Sequence, residues 1–252
     1  MIRTPTLSEQ EVVEALRAVL DPELDESVVD LAFVDRVQVD EERVEVVLRL
    51  PTFWCAPNFA YLMAYDAREA VRRAVAPRRV EVRLKDHFAS DEISHGVSHE
   101  EPFDRVFGEQ ADGEDLTDLR RRFQTKAFTM RLEQLVRLLL EHGLTASQVT
   151  GLRLVDVLAA PAIGPLVLRL DDQLWQLDGG GPVAVAYLRK RRQLRLDLSD
   201  SAPLVTDVDG VPIAADELSA YLLRARRQRI SMAFNSIFCR GMLETRYGKD
   251  EP

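Results

Sequence analysis

The residue best placed for chemistry in this 252-residue chain is Cys55, in the segment Leu50–Asn58 (LPTFWCAPN). Pro57 suits the first turn of a helix, where its missing N–H would have had no partner and its ring presets the backbone angle. A thiol just ahead of that turn faces backbone N–H groups and the positive end of the helix dipole, and both favour the thiolate. The thiolate is the form that binds soft metals or attacks electrophiles. Thr52, three residues upstream, can donate a hydrogen bond to the sulfur. Earlier in the chain, Asp21–Val34 (DPELDESVVDLAFV) brings Asp21, Glu23, Asp25 and Asp30 into a loop that can lie beside the start of that helix. The plain reading competes: a cysteine is often a small core hydrophobe, Phe53, Trp54 and Phe59 could be core, and Asp21-Pro22-Glu23 could serve only to stop a helix. A second candidate is His87, Asp91, His95 and His99, which have metal-ligand side chains. Gly96 and Ser98 argue against the helix that would align the last two, so a solvated linker is the simpler reading.

These residues need elements to position them. Ser8 and Glu11 make a capping box, and Val12, Val13, Leu16, Val19 and Leu20 form a helical stripe that Asp21-Pro22 stops. Val37 and Val39 suggest one strand, and Val44, Val46, Leu48 and Leu50 a second, with Asp40–Arg43 turning between them. A helix over about 58–75 and a strand through Val80, Val82 and Leu84 follow. The order helix, strand, strand, helix, strand predicts a small α+β domain. We place that domain at 1–92, a linker at 93–118, and a mainly helical domain with a small β-hairpin at 119–252. In the latter, helices are expected from Leu119 to Glu141, Ala146 to Leu152 and Val183 to Arg192. Two more are expected over Leu218–Leu223 and Ile230–Leu243. A hairpin over Val167–Leu177 turns at Asp171-Asp172, and Gly179–Gly181 reads as a linker.

Composition limits the function classes. Hydrophobic residues at 46% and charged residues at 30% belong to a globular chain. The longest apolar stretch, Val157–Leu168, is 12 residues long and broken by Pro161, Gly164 and Pro165, well short of the roughly 20 a bilayer needs. No membrane partner and a cytoplasmic location are expected, since the N-terminus lacks the apolar core of a secretory signal. Residues 1–100 carry 12 Lys and Arg against 20 Asp and Glu, a poor surface for nucleic acid, whose binding relies on cations replacing counterions. The basic runs Arg120–Arg122, Arg189–Arg192 and Arg224–Arg229 read as solvated faces.

The pattern Asp-Pro-Glu at 21–23 with Ser27-Val28-Val29-Asp30-Leu31, the strand ending Leu50-Pro51-Thr52, and a cysteine opening a helix resemble the metal–sulfur cluster biosynthesis family, the SufT- and PaaD-like proteins. The resemblance covers residues 8–92. It implies an assembly or maturation factor for iron–sulfur or other iron proteins, with no catalysis of its own. Cys55 would be the metal or cluster-transfer residue, supported by Asp21, Glu23, Asp30 and Thr52. It also implies a transient iron–sulfur cluster or iron, none tightly bound, and a metalloprotein client such as an oxygenase component. Two positions depart from the pattern: Ala56 separates the cysteine from the proline, and Ala32 stands where the family has glycine. A thiolate-held cluster takes about four cysteine or histidine ligands, and this chain has Cys55 and Cys239 in what read as different domains. A homodimer joining two Cys55 thiols, or a client lending ligands, would fill the gap.

Residues 119–243 show a degenerate resemblance to the catalytic domain of tyrosine recombinases. Thr145 replaces the arginine expected after Gly-Leu, Asp171-Asp172 make the hairpin acidic, and no histidine follows His142. This implies a recombinase-like fold without its catalytic set, serving as an adaptor. The alternatives to a maturation factor are DNA binding through this domain and a thiol enzyme using Cys55.

Overall fold

A computed structural model describes residues 8–74, 79–108 and 116–248, and the chain folds as α+β in two compact units. The first unit comprises residues 1–120 and 233–252, the second 121–232. Helix α1 (Glu9–Leu16) opens with the expected capping box, Ser8 and Glu11 satisfying each other's backbone N–H groups, and buries Val12 and Leu16. Strands β1 (Val34–Val39) and β2 (Arg43–Arg49) form an antiparallel hairpin, and helix α2 (Pro57–Ala74) crosses over to β3 (Arg79–Lys85), parallel to β2. Asp40 holds the hairpin turn by accepting from the N–H groups of Glu42 and Arg43.

The central strand β2 is buried on both faces. Val44, Val46 and Leu48 join the helices in one core. On the other face Glu45 is covered by Arg36 and Arg83 at 3.7 and 3.1 Å, so long arginine stems shield that side of the sheet.

The expected linker over 93–118 holds two helices, α3 (Ser90–Ser98) and α4 (Phe103–Phe107). Ile93, Val97 and Phe103 are buried in the first unit's core. Gly96, read as a helix breaker, is there for space: a Cβ on it would meet Val106 Cγ2 at 2.3 Å.

The second unit is mainly helical with a three-stranded sheet. Helix α5 (Leu116–Glu141) starts three residues ahead of the expected point, and α6 (Ala146–Gly151) is capped by Thr145 and Gln148. Strand β4 (Val157–Ala159), which sequence periodicity did not mark, pairs with β5 (Leu166–Leu170) and thence β6 (Gln173–Leu177). The β5–β6 turn is Asp171-Asp172 with φ of 50° and 58°, the positive angles of a tight hairpin. Gly180 and Gly181 are not a linker but the first turn of α7 (Gly180–Gln193). A Cβ on Gly181 would stand 2.5 Å from the Pro161 carbonyl oxygen. The two helices expected after residue 218 are one, α8 (Leu218–Tyr247); its residues from Ala233 onward belong to the first unit.

The basic runs are only partly solvated. Arg191 is fully buried and donates to the Tyr187 hydroxyl and the Leu204 and Asp197 carbonyls. Arg229 pairs at 2.7 Å with buried Glu133. Among the described residues no helix is long and apolar enough to cross a membrane.

Candidate functional site

The site is built where β2 runs out. Leu50 is buried, Pro51 and Thr52 turn the chain, and Cys55 sits half-buried two residues before α2 begins. Thr52 Oγ1 lies 3.3 Å from Cys55 Sγ and also accepts from the Trp54 N–H. The threonine hydroxyl can donate to the sulfur or accept from its S–H, since its oxygen has a second lone pair beside the one Trp54 uses.

The loop after β3 clamps this segment. His87 is buried, and its Nδ1 accepts from the Ala89 N–H at 3.1 Å while Nε2 stands 2.7 Å from the Cys55 carbonyl oxygen. An accepting Nδ1 leaves the proton on Nε2, which donates to that carbonyl. Burial holds the His87 pKa below its ordinary value, which keeps the ring neutral. His87 therefore fixes the backbone of Cys55 and gives its thiol no base.

Both ring nitrogens being used, His87 is also no metal ligand. His95 and His99 do come together at the end of α3, ring centroids 4.1 Å apart. The set His87, Asp91, His95 and His99 is nevertheless not assembled: among the described residues no three His, Cys, Asp or Glu side chains stand together as a ligand group.

The aromatic neighbours are largely surface. Phe53, Trp54 and Phe88 are 41%, 76% and 48% exposed and form one cluster, with centroids 4.7 to 6.4 Å apart. Of the three aromatics that could have been core, Phe59 alone packs against it.

The acidic loop divides. Asp21 is buried; its Oδ1 accepts from the Glu23 and Leu24 N–H groups at 2.8 and 2.9 Å. Burial still dominates, with Glu23 and Glu26 adding repulsion, and the Asp21 carboxyl is pushed up from 3.8 to about 6. Asp25 closes the same loop, its N–H on the Asp21 carbonyl and its φ at +55°. Asp30 points elsewhere: its carboxylate is exposed and paired at 2.7 Å with Arg17, which follows α1. Ala32 has φ of +57°, the left-handed region that favours glycine, which accounts for the family's usual residue there.

The end of α8 also enters the site, a role that no local pattern in its residues marks. Asn235 donates to Glu23, Arg240 to the Glu26 carboxylate and the Asp30 carbonyl, and Arg246 to the carbonyls of Leu50 and Asp86. Cys239, between those anchors, is half-buried and packs against the same core as Cys55. Burial, and after it the neighbouring Asp21, Cys55, Glu23 and Glu26, push its thiol up to about 11. The two cysteines thus lie in one unit, contrary to their assignment to different domains, because helical continuity through residues 224–229 carries the C-terminus back.

The comparisons with known proteins agree with this geometry. A family model described as "Iron-sulfur cluster assembly protein" matches residues 9–84, from α1 to the end of β3. An uncharacterized protein of Methanocaldococcus jannaschii is 30% identical over 96 residues, which is 38% of this chain and 99% of that protein. Through that unit, the chain belongs to the iron–sulfur cluster assembly protein family.

Proposed function

We propose that the first unit carries iron or a labile iron–sulfur cluster on Cys55 and hands it to a metalloprotein client. The observation behind this reading is a half-buried thiol beside the Thr52 hydroxyl, next in the chain to exposed Phe53 and Trp54, which cluster with Phe88, in a domain of the assembly family. The hydroxyl and helix start suit a sulfur ligand. The aromatic cluster suits a protein partner, because exposed aromatic groups anchor interfaces. The role is carriage rather than catalysis, since His87 engages the Cys55 carbonyl and not its thiol. A carrier thiol works reduced, which suits a reducing compartment such as the cytosol.

The second unit would select the client. The acidic first hundred residues, and the internal use of Arg191 and Arg229, favour a protein surface over nucleic acid. The resemblance to PaaD-like proteins makes a multicomponent, iron-dependent oxygenase the client we propose. Producing the oxygenase encoded beside this protein, with and without it, tests the assignment. Iron content and turnover should fall in its absence; equal metal loading and equal activity would refute it.

A further inference from the structure

We propose that the outer face of α8 pairs two copies of this chain, antiparallel, about a twofold axis at Phe234. The pairing holds whether or not Cys55 carries metal.

Helix α8 has two apolar faces, and the fold uses one of them. Ala225, Met232 and Leu243 are buried. On the opposite face Leu223, Ile230, Phe234, Ile237 and Phe238 recur at helical spacings of seven, four and three. Each of these five is between 52% and 72% exposed. A surface helix turns charged and polar side chains to water. Five large apolar groups along roughly 22 Å of one helix instead mark a contact surface.

The area fits a second copy. At roughly 150–250 Å² for a whole large side chain, five exposed to this degree offer about 500–600 Å². A standard interface takes about 800 Å² per partner and a homodimer interface is about 65% apolar, which calls for about 500 Å² of apolar surface.

The stripe is also the same in both directions along the helix. Ile230, Phe234 and Phe238 are spaced four and four. In an antiparallel pair Phe234 meets its own counterpart, and Ile230 of each copy meets Phe238 of the other, the self-complementary contact that a twofold axis requires. Charge selects this direction. Arg226 and Glu244 are exposed on the same edge of the stripe, so antiparallel packing brings Arg226 of each copy beside Glu244 of the other. Arg227 then crosses Gly241, where a Cβ would meet nothing within 4 Å. A parallel pair would set Arg226 and Arg227 against their own counterparts, and flanking charges of this kind decide helix orientation.

The test is sedimentation velocity on the full chain, reduced and with chelator present, so that no metal shared between Cys55 thiols can join two copies. At concentrations up to about 100 μM the particle should have twice the 28.6 kDa of one chain. Phe234→Asp should weaken association by about a hundredfold or more, with circular dichroism unchanged. Arg226→Glu and Glu244→Arg should each weaken it about three- to tenfold, and the two together should restore it. A wild type that stays monomeric at every concentration would overturn the proposal, as would a dimer indifferent to Phe234→Asp. A double charge swap no tighter than either single variant would overturn the antiparallel register.

Discussion

Replacing Asp21 by asparagine should stabilise the first unit at neutral pH and leave it unchanged in acid. The asparagine side-chain oxygen can keep the two backbone N–H donors of Glu23 and Leu24, and the substitution removes only the charge. That charge sits buried, facing Glu23 and Glu26 of its own loop and Cys239 of α8. The folded carboxyl, with its pKa raised from 3.8 to about 6, binds its proton more tightly than the unfolded one. Its stabilising contribution is complete below pH 3.8 and is lost as pH climbs through about 6. At about 1.4 kcal/mol per pH unit, the ionised group costs about 3 kcal/mol at neutral pH. Urea titrations at about pH 4 and about pH 7.5, each point read by a brief deuterium pulse at the β2 amides, follow the first unit by itself. Asp21→Asn should gain about 2–3 kcal/mol at the higher pH and nothing at the lower. An equal gain at both, or a loss at the higher pH, would refute the reasoning. A gain accompanied by lost metal transfer would mean the buried charge is retained for function at the expense of stability.

Other substitutions test single contacts. His87→Phe leaves the Cys55 carbonyl without its donor and should cost about 1–3 kcal/mol, while loosening the loop enough to speed alkylation of Cys55; unchanged stability and labelling would contradict the clamp. Ala32→Gly relieves a left-handed backbone worth about 1–2 kcal/mol, against about 0.4–1 kcal/mol of added chain entropy. Urea unfolding should therefore show no loss, and a loss above about 1 kcal/mol would contradict this account. Gly181→Ala drives a methyl group to 2.5 Å from the Pro161 carbonyl oxygen and should destabilise the second unit by at least about 2 kcal/mol, with exchange at β2 unaffected. A neutral result would mean the contact is not tight.

Local pattern carried the first unit's order, because β2 and β3 alternate cleanly and α1 announces its start with Ser8 and Glu11. It failed over residues 90–107, where two histidines and a glycine mask a short stripe, Ile93, Val97 and Phe103, that is buried. It failed again at Gly180-Gly181, since glycines that permit close helix–strand approach look like linker residues when their neighbours in space are unknown. Cys55 and Thr52 were legible together because they are three residues apart. Cys239 was not, being 184 positions from Cys55 in the chain: the Arg224–Arg229 run broke the apolar periodicity and divided one helix into two expected ones. His87 was noticed for its ligand chemistry, but its role as a backbone clamp depends on where β3 ends relative to α2, which periodicity does not report.

The central claim is that Cys55 carries metal to another protein. The direct measurement is anaerobic loading of the full chain with iron and sulfide, followed by mixing with an apo-ferredoxin and recording the acceptor's circular dichroism as its cluster forms. Wild type should fill the acceptor faster than iron and sulfide alone, and folded Cys55→Ala should fall to that background rate. Equal rates from wild type and Cys55→Ala would contradict the account.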